Sequence, residues 1–355
     1  MSERLSRRLG AALLLAASLS LAACGGGEDS GEEGAGGETT GDAGQTRTVE
    51  HAMGSSEVPA EPERVVVLDT GELDSALTLG VTPVGATEAV AGEGLPEYLE
   101  GTEDIELVGT IEEPNLETIS TLEPDLILSS SLRHEAIYDQ LSGIAPTVFT
   151  EQTGVTWREN FDKHAEALGR EDEAEEVVSE YEQATADFQE RLGEDPPTVS
   201  VVRFIADDTR IYQKENFIGT ILEDVGLPRP ESQDVEDFAL LNVSAEAIPD
   251  MDGDVIFTTV YGEESDTAKA QVESDPLWQN LRAVQQGRVY EVSDDLWMLG
   301  LGYTAAEGVL ADLERYILGS EATTTDSAQT TMETTAPPAE TTGVLETTGA
   351  LETTN

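Results

Sequence analysis

Hydrophobic positions along the chain fall into two alternating regimes around one long amphipathic run. From 171 to 192 the sequence reads EDEAEEVVSEYEQATADFQERL, with neither glycine nor proline. Its apolar residues Ala174, Val177, Val178, Tyr181, Ala184, Phe188 and Leu192 recur at steps of three and four. That spacing draws a narrow stripe on an acidic rod and predicts a single helix, roughly 33 Å long at 1.5 Å per residue. On either side, short β-rich runs alternate with helical ones. The first half predicts strands at 64–69, 83–86, 125–129 and 147–150, with helices at 72–79, 117–122 and 157–168, the last stopped by Gly169. The loop 129–134 opens a further helix running through Leu141. The second half predicts strands at 198–204, 210–213, 254–260 and 288–292, a helix at 217–225 and a closing helix at 305–317. Such βα alternation implies largely parallel sheets. The fold class is therefore α/β, with a lobe at 48–170, a linker helix at 171–193, a second lobe at 194–319, and a ligand cleft between the lobes.

An internal repeat relates the halves. Glu117, Ile119, Leu122, Asp125 and the run Leu126-Ile127-Leu128 align without a gap on Glu246, Ile248, Met251, Asp254 and Val255-Ile256-Phe257. Each copy reads as a helical turn with a glutamate near its start, then an acidic turn and a buried strand.

The ends follow other rules. Residues 1–23 form a signal peptide: Arg4, Arg7 and Arg8 precede an apolar run at 9–21, too short to span a bilayer comfortably. Leu21-Ala22-Ala23-Cys24 looks like a lipobox, which makes Cys24 the expected lipidation site and membrane anchor on the extracytoplasmic face. Cys24 is the only cysteine, so intramolecular disulfides and thiol metal sites are excluded. Residues 24–47 read as a flexible acidic tether, and 320–355 as a disordered Thr-rich tail repeating Glu-Thr-Thr.

The 355-residue chain carries 73 acidic and 18 basic residues, a formal net charge of −55. Such a surface repels phosphate, which excludes nucleic acid and anionic membrane surfaces as general partners. With three lysines against fifteen arginines, the composition resembles that of proteins adapted to high salt. Enzyme motifs are missing: there is no Gly-x-Ser-x-Gly, no Gly-Lys pair of a phosphate loop and no His-Glu-x-x-His. His51, His134 and His164 share no ligand spacing, so no metal site and no resident cofactor are expected.

Scarce residues carry the binding signal. Arg133 follows a first-lobe strand, Arg203 ends the first strand of the second lobe, and Arg210 follows the Asp207-Asp208 turn. Ligands of open α/β sheets sit outside the carboxyl ends of strands, where Arg133 and Arg203 should point. Tyr261, Trp297 and Trp157 lie beside turns or helix starts and are candidates to stack on a flat ligand or a cation. Trp278 reads as core.

Taken together, the lipobox, Glu63-Arg-Val-Val-Val-Leu-Asp69, Leu79-Gly-Val-Thr-Pro-Val-Gly85, Pro114-Asn-Leu-Glu117, Leu122-Glu-Pro-Asp-Leu-Ile-Leu128, Ile144-Ala-Pro146 and Pro276-Leu-Trp278 resemble the periplasmic-binding-protein family of iron(III)-siderophore ABC importers. The resemblance spans nearly all of 48–318. It implies two Rossmann-like lobes joined by one helix, a monomer that captures a ferric siderophore and passes it to an ABC transporter permease, and iron held by the chelator. It also implies that Glu117 and Glu246 dock onto permease arginines. Cobalamin and haem receptors share this fold, and a haem would ask Tyr261 or His134 for an axial ligand. Cell-surface structural or sensory lipoproteins and metal chelatases use it as well.

Overall fold

The computed structural model describes residues 45–206 and 208–319; the signal peptide, Cys24, most of the tether and the Thr-rich tail lie outside the described residues. The chain enters through an antiparallel hairpin, β1 (Thr46–His51) and β2 (Gly54–Pro59). The tether expected to run to residue 47 therefore gives way to a strand at Thr46. In these polar segments only Val49 and Val58 face inward, both fully buried, and so short a signal does not announce a strand.

The first sheet has the order β5-β4-β3-β6-β7, formed by Glu106–Thr110, Gly85–Glu88, Val65–Val67, Leu126–Ser130 and Thr147–Thr150, all parallel. The second has the order β10-β9-β8-β11-β12, formed by Ala239–Leu240, Asp208–Tyr212, Val199–Ile205, Val255–Val260 and Val289–Glu291. Here β8, β11 and β12 are parallel, whereas β9 pairs antiparallel with both β8 and β10. The second lobe thus departs from the expected repetition of the first, because two residues join β8 to β9 and a parallel crossover needs a dozen or more.

Strand alternation assigns each residue to a face. Val65, Val67, Leu126 and Leu128 enter one core cluster, while Val66, Leu68 and Ile127 enter another on the opposite face. The second sheet behaves likewise, with Val199, Val201, Val255 and Phe257 on one side and Val202, Phe204 and Ile256 on the other. One inner face of each sheet belongs to the same cluster, which also takes in the linker helix. That helix spans Glu171–Leu192 and buries Ala174, Tyr181, Thr185 and Phe188 along its stripe. It follows Gly169, whose φ of 70° ends the preceding helix Trp157–Leu168 in the left-handed conformation.

The closing helix Tyr303–Ile317 ties the lobes a second time. Its first backbone amides, those of Thr304 and Ala305, donate to the Asp74 carboxylate at 3.2 and 3.0 Å. Asp74 belongs to the first-lobe helix Thr70–Thr78. It is fully buried and also accepts from the Tyr98 and Thr78 hydroxyls, both at 3.2 Å. Burial still dominates, and pushes this carboxyl up to about 6.

The internal repeat has a common physical role. Asp125 accepts the amides of Glu63 and Arg64 at 2.9 Å just before β3, and Asp254 accepts the Thr198 amide at 2.9 Å just before β8. Ile119 and Ile248, at 0% and 1% exposure, plug the two cores. In each lobe the repeated turn leads into a strand paired in parallel with the lobe's first strand.

Candidate functional site

Strand order locates the site. In the first sheet the chain moves outward from β3 to β4 and β5, then reverses to β6 and β7, so a crevice opens outside the carboxyl ends of β3 and β6. The second sheet reverses in the same way between β8 and β11. Asp69 and Arg133 stand beyond β3 and β6; Arg203 and Tyr261 stand at the ends of β8 and β11. The switch points of the two lobes meet at a cavity of about 520 Å³, a size suited to a small-molecule ligand. Arg133, Arg203, Arg210, Gln152, Asn216 and Phe238 are among its lining residues.

Each arginine is held by an aspartate. Arg133 lies on a short helix, Ser131–His134, where a loop was expected, and its Nε donates to Asp69 Oδ2 at 2.7 Å. The other Asp69 oxygen accepts the Thr70 amide at 2.7 Å and caps the helix Thr70–Thr78, so the carboxylate is fixed before a ligand arrives. Arg203 makes a bidentate pair with Asp294, Nε to Oδ1 at 2.7 Å and Nη2 to Oδ2 at 2.5 Å, with both side chains only 9% exposed. Its Nη1 donates to the Tyr212 hydroxyl at 3.3 Å. Arg210 Nε donates to Asp208 Oδ2 at 2.5 Å. Behind the first-lobe wall Glu72 is buried; desolvation, reinforced by the Asp69 charge, pushes its carboxyl up to about 8.

The aromatic candidates divide. Trp297, on a wide helical turn at Asp295–Leu299, lines the cavity but is fully buried, packed on Phe257 and donating through Nε1 to Asp312 at 2.9 Å. Tyr261 is not among the lining residues; its ring carries the Arg203 guanidinium at 4.7 Å and so supports the cavity through that arginine. Trp157 is not at the cleft. It is 1% exposed, meets Tyr181, Phe217 and Tyr303 edge-on at 4.7–5.7 Å, and donates to Thr220 at 2.9 Å. Its place at a helix start, which suggested an open position, is covered by the linker, second-lobe and closing helices. His134 is equally committed, with Ser129 Oγ 2.6 Å from Nδ1 and the Ile111 carbonyl 2.7 Å from Nε2, and has no lone pair to offer a haem. Lys214 pairs with Glu236 and Asp234 outside the cavity.

Sequence reasoning missed Asp69, Asp294 and Asp208, the partners that aim the arginines, and Asn216, whose side chain caps the helix Phe217–Asp224 at the cavity edge. A strand followed by Asp-Thr, or by Asn before an apolar helix, was the available signal. Glu117 and Glu246 are both exposed, one in the first turn of the helix Leu116–Thr121 and the other in the first turn of the 3₁₀ segment Ala245–Met251.

Comparison with known proteins agrees with this architecture. A family model described as periplasmic binding protein matches residues 65–296. The probable siderophore-binding lipoprotein YfiY of Bacillus subtilis is 40% identical over 287 residues, covering 77% of this chain and 88% of that one. The Fe(3+)-citrate-binding protein YfmC of the same organism is 32% identical, covering 76% and 85%. Among solved structures, Staphylococcus aureus SirA complexed with staphyloferrin B superposes with a TM-score of 0.69 at 36% identity, covering 76% of this chain and 98% of SirA.

Proposed function

Since the chain belongs to the periplasmic binding protein family, we propose that it captures a ferric siderophore in the cleft between its lobes and hands it to the permease of an ABC importer. The observation that carries this reading is the convergence of Arg133 from one lobe with Arg203 and Arg210 from the other on a single cavity at both switch points. Relatives named for binding a siderophore and Fe(3+)-citrate, matched over most of their length, support the same class of ligand. Iron arrives as cargo inside its chelator. Among the described residues no cluster of His, Cys, Asp or Glu is disposed to hold a bare ion.

Arg203 is the fixed element of the site. Its guanidinium is sandwiched between Asp294 and the Tyr261 ring, so it presents charge without freedom to follow a ligand. Arg133 and Arg210, with side chains 39% and 27% exposed, have that freedom. We assign Glu117 and Glu246 to permease docking and Cys24 to the lipid anchor that keeps the protein on the outer face of the cell membrane. The two glutamates are exposed at equivalent places of the repeat, which suits one rigid two-point contact.

The test is a titration of the protein with ferric citrate, a ferric hydroxamate, a ferric catecholate, haem and cobalamin, at low and molar salt. Saturable quenching of tryptophan fluorescence by a ferric chelate is expected, because Trp297 forms part of the cavity wall. Binding of haem or cobalamin alone would leave the fold standing and overturn the substrate. A folded protein that answers none of them would be a surface protein of another kind.

A further inference from the structure

The cavity's charge arrangement narrows the class of chelate, an inference that rests on the cleft being a ferric-chelate site. Three guanidiniums line it, yet Asp69, Asp294 and Asp208 neutralise them and Glu215 adds a further acid to the lining. In sum the site is not cationic, and a trianion gains little net Coulomb attraction there. What the arginines offer is directed hydrogen bonding. Arg133 and Arg210 each meet their aspartate through Nε. Neither aspartate takes up their terminal amino groups, which form the planar edge that matches a carboxylate, although Arg210 also meets the Tyr212 side chain on the cavity wall. Flat apolar surface is scarce by comparison. Of the lining aromatics Tyr212, Phe217 and Trp297 are 4%, 3% and 0% exposed, and Phe238 alone is open, at 43%.

We infer that the cleft selects a ferric chelate that carries carboxylates free of the metal, one gripped by Arg133 of the first lobe and another by Arg210 of the second. A tris-hydroxamate or tris-catecholate turns its oxygens inward onto iron and presents no free planar pair of acceptors to either arginine. A tris-catecholate, in addition, needs stacking surface that the cavity keeps buried. Recognition from both lobes at once also makes the ligand a bridge, so that a chelate with a single free carboxylate satisfies one half of the site only.

The experiment measures dissociation constants of the full-length protein and its Arg133→Lys and Arg210→Lys variants for ferric citrate, ferrioxamine B and a ferric tris-catecholate, all at one fixed molar salt. Lysine keeps the charge and the aspartate pair, and thermal melts confirm that the variants fold. Ferric citrate is expected to bind tightest. Each lysine should weaken it about 10- to 100-fold, the worth of a charge-assisted bidentate contact, while the ferrioxamine constant moves less than about threefold. Tighter binding of either non-carboxylate chelate to the unmodified protein overturns the inference but keeps the ferric-chelate function. So do lysine variants that hold ferric citrate as well as the parent. Failure of all three chelates to bind folded protein overturns both.

Discussion

Replacing Trp157 by alanine tests how the two lobes are held together. The ring is 1% exposed and is enclosed by Tyr181 of the linker helix, Phe217 of the second lobe and Tyr303 of the closing helix. Truncating a buried tryptophan costs about 3–5 kcal/mol through lost burial and the cavity left behind. Loss of the bond to Thr220 adds about 1 kcal/mol, and no more, because that hydroxyl keeps its bond to the Phe217 carbonyl. Much of the Arg158 guanidinium's cover, 4.2 Å over the same ring, goes with it. The expected total of about 5 kcal/mol is a third or more of the stability of an ordinary domain. Urea unfolding followed by far-UV circular dichroism should show the midpoint falling, and the single transition separating into two as the lobes uncouple. Under conditions where the variant remains folded, its affinity for a ferric chelate should stay within about threefold of the parent. A loss below about 1 kcal/mol, or a tenfold loss of affinity in folded protein, would refute the placement of Trp157 in the junction rather than in the cleft.

Three further outcomes are expected. Glu117→Ala combined with Glu246→Ala should leave chelate affinity intact and stop uptake by cells, since both side chains are exposed and neither lines the cavity; normal uptake rejects the docking assignment. Asp74 titrates near 6 in the folded protein and near 3.8 when unfolded, so its contribution to stability is greatest at low pH and declines as pH rises through 6. Asp74→Asn removes that decline, and its stability relative to the parent should grow by about 2 kcal/mol between pH 4.5 and 7; a difference constant with pH contradicts it. Finally, the melting temperature should rise from low to molar salt as self-repulsion among 73 acids is screened, and an unchanged value would remove the high-salt reading.

What was legible in the sequence follows from how local each signal is. The linker helix is specified by its own stripe, and the parallel strands by short apolar runs such as Val65–Val67 and Leu126–Ser130. The repeat was readable because Asp125 and Asp254 perform the same task in both lobes. By contrast, β10 is two residues long, and β9 joins its sheet through pairing with β8 that no periodicity in 208–212 reveals. Arginines of the cleft stood out by their rarity. Their aspartate partners did not, because in so acidic a chain nothing local separates Asp294, which is 91 residues from Arg203, from dozens of solvated carboxylates. Trp157 was misplaced for the same reason, since what covers it comes from three distant helices.

The junction also determines how the cleft can respond to a ligand. A single linker helix resists bending because its hydrogen bonds would have to break, but here it does not act alone. Asp74 of the first lobe caps the closing helix, Thr78 meets Thr304 hydroxyl to hydroxyl at 2.7 Å, and the Thr70 hydroxyl bonds to the Leu299 carbonyl next to the cavity. These contacts run beside the linker, so the lobes are fastened along two lines and a hinge about either one breaks bonds in the other. Domain closure of the kind supported by flexible crossovers is therefore unavailable, and the expected motion is a rotation of a few degrees with rearrangement of Arg133 and Arg210. On the proposed docking at Glu117 and Glu246, a binding protein built this way would report its loaded state to a permease through small changes in the separation of those two residues. Scattering curves with and without chelate should be nearly superimposable, whereas a double electron–electron resonance label pair at these two positions should record a shift of order 1 Å; a strong contraction in scattering would show that the two fastenings yield.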